Sequence, residues 1–419
     1  MSFSYKKKKH GGYFDRQQPV APPRSFPDLP LSDDQKEAAG LIDDGEGPFF
    51  LTGPAGCGKS FLIEHLRQRD GVSVCATTGI AAQLIRGRTV HSFCGIHPQL
   101  GVFESYTANK RIKETDIIVI DETSMMSSEL LSQIVKRFEI AEHWPKIVTV
   151  GDLLQLPPVS GGYIYENPMW ETFQVIRLTT IHRQQDKDFI NALNDLRVGN
   201  VSQNVLKLVE ERRVESLPTD CTQLYPHRST VEETNLERLA ALPGDSTLIA
   251  WKVKHWHKLK DEDKNLEAFE KVANKTRFPR MLVLKEGARI CMLNNDPESR
   301  WVNGSTGKVI EINLRLDRVT VELDSNRTVT VSPMEEQVYT TNEDPALVVE
   351  QYPLMLAWAL TTHKAQGMTL DRVGIDLSNH FACGMTYVSL SRCKTKEGLH
   401  LIGNLSPIKV DARALAICV

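Results

Sequence analysis

The stretch LTGPAGCGKS, residues 51–60, follows the apolar run Phe49-Phe50-Leu51 and leads into Phe61-Leu62-Ile63-Glu64-His65-Leu66, which reads as a helix. A buried strand, a glycine-rich loop and a helix in this order make a phosphate cradle. The loop Gly53, Pro54, Ala55, Gly56, Cys57 and Gly58 would close around phosphate oxygens, its backbone N–H groups donating and Pro54 contributing shape alone, with the helix N-terminus favouring negative charge. Lys59 would neutralise the phosphates and the Ser60 hydroxyl would hold Mg²⁺. The loop therefore predicts a nucleoside triphosphate site at the carboxyl end of a parallel strand.

A second motif lies downstream. Ile117-Ile118-Val119-Ile120-Asp121-Glu122 is an apolar strand ending in two carboxylates. Beside a phosphate loop, Asp121 is expected to orient Mg²⁺ and its waters, and Glu122 to polarise the attacking water. After the strand ending at Val150, the turn Gly151–Pro158 would bring Asp152 and Gln155 near the γ-phosphate. Two arginines, Arg183 and Arg392, are candidates to reach across a cleft and stabilise charge on the transferring phosphoryl group.

Outward from these motifs the chain alternates short apolar runs and helical segments, as a parallel sheet covered on both faces requires. Strands are expected at 48–52, 72–76, 117–120, 147–150 and 175–178, and Ser32 or Asp33 should cap a helix carrying Gln35, Ala38, Ala39 and Ile42. A second α/β pattern starts near Thr180, with helices about 188–196 and 230–242. Between about 289 and 350 the texture turns to short β-like pieces, at 288–293, 307–312, 318–323 and 328–331, which read as a small inserted barrel.

Composition narrows the class. The 419 residues are 41% hydrophobic and 25% charged, with a net charge of −3, so any nucleic-acid contact must come from a local groove rather than from overall charge. No apolar run approaches the ~20 residues that span a bilayer, and the N-terminus lacks a signal-peptide core. The eight cysteines are scattered with no C-x-x-C pair, which predicts a reducing compartment: the cytoplasm, with the nucleus also open. Residues 1–30 form a basic, Pro-rich tail expected to be disordered, a candidate docking segment for a protein partner. A GTPase Asn-Lys-x-Asp motif is missing, since Asn109-Lys110 and Asn274-Lys275 both lack the aspartate.

Taken in order, Gln35, GPAGCGKS, TTGIAAQLIRGRTVHSF (77–93), VIDETSM (119–125), VGDLLQLPPV, TIHRQ, LKEGARICMLNND (284–296), WVNGSTGKVI (301–310), LAWALTTHKAQGMTLD (356–371) and YVSLSRC (387–393) form a recognisable set. The set resembles the superfamily 1B DNA helicases, specifically the Pif/RecD-like 5′-to-3′ branch, over residues 31–405.

The resemblance implies an α/β fold of two RecA-like domains with ATP between them and single-stranded DNA across both. On this reading residues 31–180 form the first domain, with a strand-separating insertion at 95–113. Residues 181–290 and 351–419 form the second, interrupted by an SH3-like insertion at 291–350. Gln35 resembles the residue that reads adenine. Thr77, Thr78, His91, Ser92 and Phe93 resemble first-domain DNA contacts, with Phe93 able to stack on a base. Thr362, His363 and Lys364 resemble the second-domain counterpart, and Gln366 and Gly367 lie near the coupling of DNA to nucleotide. Phe103 and Tyr106 are the aromatic candidates for the wedge. The implied ligands are ATP, Mg²⁺ and single-stranded or tailed duplex DNA. The implied partner is a single-strand-binding or replication protein, and the implied working form is a monomer. Alternatives are a DNA-stimulated translocase without unwinding, or a non-catalytic DNA clamp.

Overall fold

A computed structural model describes residues 30–419 apart from 79–80, 83–84, 86, 98–100, 103–105, 159, 181–185, 257–261, 275, 295, 299, 302–303 and 339–345. Arg183, Phe103 and nearly all of the N-terminal tail therefore lie outside the described residues.

The first sheet has six parallel strands in the order Arg88–Thr89, Val72–Ala76, Ile117–Asp121, Lys146–Gly151, Phe49–Thr52, Gln174–Arg177. Phe49-Phe50-Leu51-Thr52 is buried at every position, as a central parallel strand covered by helices on both faces must be. One face packs on the helices Asp33–Asp44 and Lys59–Arg67 through Ile42, Leu62, Ile63 and Leu66. The other packs on Ser128–Ala141 through Leu131, Ile134 and Phe138. The strands expected from sequence are present with ends shifted by a residue or two, and Ser32 is the cap of the first helix, its N–H bonded to Gln35 Oε1 at 3.0 Å.

The second sheet has four parallel strands, in the order Ala359–Thr361, Thr222–Tyr225, Val373–Asp376, Leu399–Ile402. Helices Lys187–Arg197, Gln203–Arg212 and Arg228–Ala241 belong to this half. Between the second sheet's strands, the β-rich body begins at Thr247, ahead of the expected 291. Strands Thr247–Ala250 and Met281–Leu284 pair with each other, and Lys252–Trp256 joins Leu347–Gln351 and Met334–Val338. None of these joins the parallel sheet. A five-stranded antiparallel sheet, Thr328–Val331, Arg318–Leu323, Thr306–Asn313, Arg289–Met292, Leu354–Leu356, completes it around Val309, Val321, Leu323 and Trp301. The alternating buried and exposed pattern along Arg318–Leu323 marks a sheet with one face in the core.

The C-terminal segment corrects the expected division. The helix Ala412–Cys418 leaves the second half and packs in the first domain's core, where Ala414 and Cys418 join Phe50, Trp170 and Phe173. Cys418 Sγ lies 3.6 Å from Thr52 Oγ1, Asp411 accepts a 2.7 Å hydrogen bond from Tyr165, and Arg177 donates to the Ile417 carbonyl at 2.8 Å. No helix among the described residues is long and apolar enough to cross a membrane.

Candidate active site

The phosphate loop sits at the carboxyl end of Phe49–Thr52, and its close turn is sterically fixed: a Cβ on Gly53 would lie 2.5 Å from the Leu178 carbonyl oxygen. Lys59, the first residue of its helix, donates from Nζ to the carbonyls of Gly53 at 2.6 Å and Pro54 at 2.9 Å, so its ammonium lies along the mouth of the loop. Ser60 is exposed and Cys57 is buried beneath the loop, its Sγ 3.6 Å from Lys59 Nζ. Gln35 is buried with both ends of its amide engaged: Oε1 accepts from Ser32, and Nε2 donates to the Gly58 carbonyl at 3.4 Å. It ties the first helix to the phosphate loop.

Asp121 and Glu122 end the neighbouring strand but one, as the pairing of Val72–Ala76 with Ile117–Asp121 and of Lys146–Gly151 with the same strand requires. Burial, reinforced by the Glu122 charge, pushes the Asp121 carboxyl up to about 7, against the 2.8 Å hydrogen bond from Glu122 N–H and the charge of Lys59. Glu122 has φ +56, a left-handed conformation uncommon for a non-glycine residue. Thr77 supports it, with its hydroxyl donating to the Glu122 carbonyl at 2.9 Å and its N–H to the Asp121 carbonyl at 3.2 Å. Strained backbone held by surrounding bonds is a feature of functional positions.

The wall opposite Glu122 comes from the second half. Gln366 reaches across with Nε2 at 3.2 Å from Glu122 Oε2, 3.2 Å from Ser124 Oγ and 3.5 Å from Gln155 Oε1. Gly367, at φ +79, makes the turn directly after it. A cleft lined by Thr78, Glu122, Met125, His363, Lys364 and Gln366 opens beside this contact. Thr78, Glu122, His363, Lys364, Gln366 and Gln155 are thus gathered at one junction, while Lys59 and Asp121 lie on the loop side of it.

Several expected roles are corrected. Phe93 is only 5% exposed and packs in the first domain's core, so it anchors its turn instead of facing a base. The outward side chains of the helix Val90–Cys94 are Ser92 and the half-buried His91. Thr362 is fully buried, its hydroxyl 3.1 Å from Ser389 Oγ, whereas His363 and Lys364 in the same turn reach the cleft. Asp152 has its carboxylate committed to another partner than phosphate. It is buried in a bidentate ion pair with Arg197, at 2.9 and 3.0 Å. Arg392 is also buried, donating to the carbonyls of Val388 at 3.0 Å and Met368 at 3.4 Å, and to Ser391 Oγ at 2.9 Å. Among the described residues, Arg197 is an arginine that pairs across the halves, on a helix whose sequence carries no motif.

The comparisons decide the family. An AAA domain model matches residues 30–219. The ATP-dependent DNA helicase Pif1 of Bdellovibrio bacteriovorus is 35% identical over 413 residues, covering 93% of this chain and 91% of the relative. The chain belongs to the Pif1 family of helicases. The human ATP-dependent DNA helicase PIF1 is 31% identical over 423 residues, and this Pif1-family chain spans 63% of its length. Among solved structures, the Pif1 helicase from Candida albicans superposes with a TM-score of 0.77 at 30% identity, over 93% of this chain and 98% of that one. A Pif1 helicase from Bacteroides in complex with ADP-AlF3 and single-stranded DNA gives 0.71 at 28% identity, over 93% and 96%. The α/β architecture with its parallel sheets is therefore that of the RecA-like Pif1 helicases.

Proposed function

We propose that this Pif1-family chain is an ATP-driven DNA helicase that moves 5′-to-3′ along single-stranded DNA and opens the duplex ahead of it. The observation carrying this reading is the Gln366–Glu122 contact. It ties the carboxylate that would polarise the attacking water to the turn bearing His363 and Lys364. Hydrolysis and grip on a phosphate backbone then share one set of atoms, as a motor requires: each state must hold the strand differently.

Lys59 and the loop N–H groups from Gly56 to Ser60 would hold the triphosphate, Glu122 would orient water, and Gln155 and Gln366 would report its arrival. Gln35 would contribute through its hold on Gly58. Exposed Ser60 and the Asp121 carboxyl fit Mg²⁺. Two adjacent acids, one of them buried, oppose each other's charge, and Lys59 offsets this only in part, which a divalent ion would complete when bound. Arg183 and Arg392 remain the candidates for transition-state charge, Arg392 only if its helix releases its present carbonyl partners.

On the DNA side, Thr78, His91, Ser92, His363 and Lys364 would track the strand. The hairpin Ile96–His97 with Gly101–Val102, followed by the helix Tyr106–Lys113, would be the strand-separating insertion, and Tyr106, 77% exposed, is its described aromatic. The antiparallel body of Thr247–Leu356 would be the SH3-like insertion. Tailed duplex DNA is the substrate this assigns, with the protein acting as a monomer and the N-terminal tail meeting a single-strand-binding or replication protein. The test is ATP-dependent unwinding of one duplex bearing either a 5′ or a 3′ tail. Opening of the 5′-tailed form alone supports the reading, and opening of the 3′-tailed form alone overturns its polarity. ATP turnover stimulated by DNA with neither duplex opened would leave a translocase.

A further inference from the structure

Between the phosphate loop and the second half runs a buried polar chain that none of the motif roles above uses. Ala55 N–H donates to the Tyr387 hydroxyl at 2.9 Å, and that hydroxyl donates to Asp152 Oδ2 at 3.4 Å. Asp152 in turn is gripped by Arg197 through Nε and Nη2. The four residues come from four segments. Two belong to the first domain, the phosphate loop and the turn after Lys146–Gly151; two belong to the second, the helices Lys187–Arg197 and Met385–Ser391. Tyr387 is 1% exposed, and burial holds its phenol well above the ordinary tyrosine range, so it keeps its proton and donates to the carboxylate.

The helix carrying Tyr387 is pinned at its start as well. Gly384, its N-cap at φ +71, lies so close to the first domain that a Cβ there would meet the Gln155 carbonyl oxygen at 2.7 Å. Arg392 closes the same helix. A phenylalanine would match the ring's volume but leave Ala55 N–H and Asp152 without the hydroxyl, and buried chains of hydrogen bonds strengthen one another.

We propose that Tyr387 is a positioning residue that couples the shape of the phosphate loop to the second domain. Through its hydroxyl, a change at Ala55 on triphosphate binding moves the Asp152–Arg197 pair and the helix bearing Arg392. The inference rests on the reading that this cleft hydrolyses ATP under the control of DNA.

The experiment is Tyr387→Phe in the full chain, with steady-state ATP turnover measured with and without oligo(dT), the KM for ATP, and the melting temperature. The expected result is a loss of oligo(dT) stimulation of about tenfold, within the usual range of coupling between sites. DNA-free turnover and KM should stay within about twofold. Stimulation kept within twofold of wild type overturns the proposal. So does a parallel fall in basal turnover, KM and melting temperature, which marks a role in folding alone. Wild-type protein whose ATP turnover ignores DNA would instead overturn the underlying functional reading.

Discussion

Gln366 Nε2 lies 3.2 Å from Glu122 Oε2, and the two side chains belong to opposite walls of the cleft. The amide oxygen of Gln366 is buried and has no partner among the described residues, which hold the side chain by its donor end. Gln366→Ala should leave the phosphate loop intact while freeing Glu122 from its anchor. We expect kcat for ATP to fall by about tenfold or more, as removal of a group that orients a general base does, with KM within about threefold. Steady-state kinetics with saturating single-stranded DNA decides it, and an unchanged kcat would detach Gln366 from the chemistry.

Lys59 Nζ rests on the carbonyls of Gly53 and Pro54 at the loop mouth, where an incoming phosphate would take over its charge. Lys59→Ala should abolish ATP turnover, with single-stranded DNA affinity kept within a few-fold, since the outward groups at Ser92 and Lys364 are untouched. ATPase assays beside fluorescence-anisotropy titrations check both halves. Turnover near the wild-type rate would remove the phosphate assignment.

The Asp152–Arg197 pair crosses between the halves with both partners buried. Taking away one member of such a pair leaves an uncompensated charge and costs about 3–5 kcal/mol. Arg197→Met should therefore lower the melting temperature by several degrees, whereas Asp152→Asn/Arg197→Met should recover part of the loss. Differential scanning calorimetry of the three proteins reads this directly, and equal melting of Arg197→Met and wild type would show the pair to be dispensable.

His380 is buried, bonded through Nδ1 to Thr386 Oγ1 at 2.9 Å, with Nε2 unpartnered among the described residues, and burial lowers its pKa to about 4. The unfolded chain takes up this proton near pH 6.5, the folded chain only near 4. Between those values the unfolded state binds more protons, so the contribution of His380 to stability is full above pH 6.5 and is lost as pH falls toward 4. The melting temperature of wild type should drop more steeply from pH 7 to pH 5 than that of His380→Gln. Parallel curves would contradict it.

What the sequence disclosed and what it hid divide along a physical line. Strand–loop–helix order, the carboxylates after Ile117–Ile120 and the ordered motif set are local features, and local pattern carries them. Which side of a short turn faces inward is a tertiary property. Val90–Cys94 is five residues long, too short for periodicity to distinguish Phe93 from Ser92. The turn Thr362–Ala365 hides Thr362 for the same reason. The return of Ala412–Cys418 to the first domain, and the crossing by Arg197, depend on contacts between residues 366, 240 and 45 positions apart. A faint signal existed for Tyr387: an aromatic with a polar handle between apolar and small hydroxyl residues usually has a partner for its hydroxyl when buried.

Phe93 gives the sharpest test of that distinction. If it packs the core, truncation to alanine should cost about 3–5 kcal/mol through the cavity left beneath the first sheet, and replacement by leucine should restore most of it. Single-stranded DNA affinity of Phe93→Leu should then match wild type, because Ser92 and His91 keep their places on the turn. A stacking role predicts the opposite pattern: Phe93→Leu would melt like wild type while losing about 1–3 kcal/mol of DNA affinity. Thermal melts and anisotropy titrations on the two variants separate the outcomes, and 5% exposure of the ring leads us to expect the first.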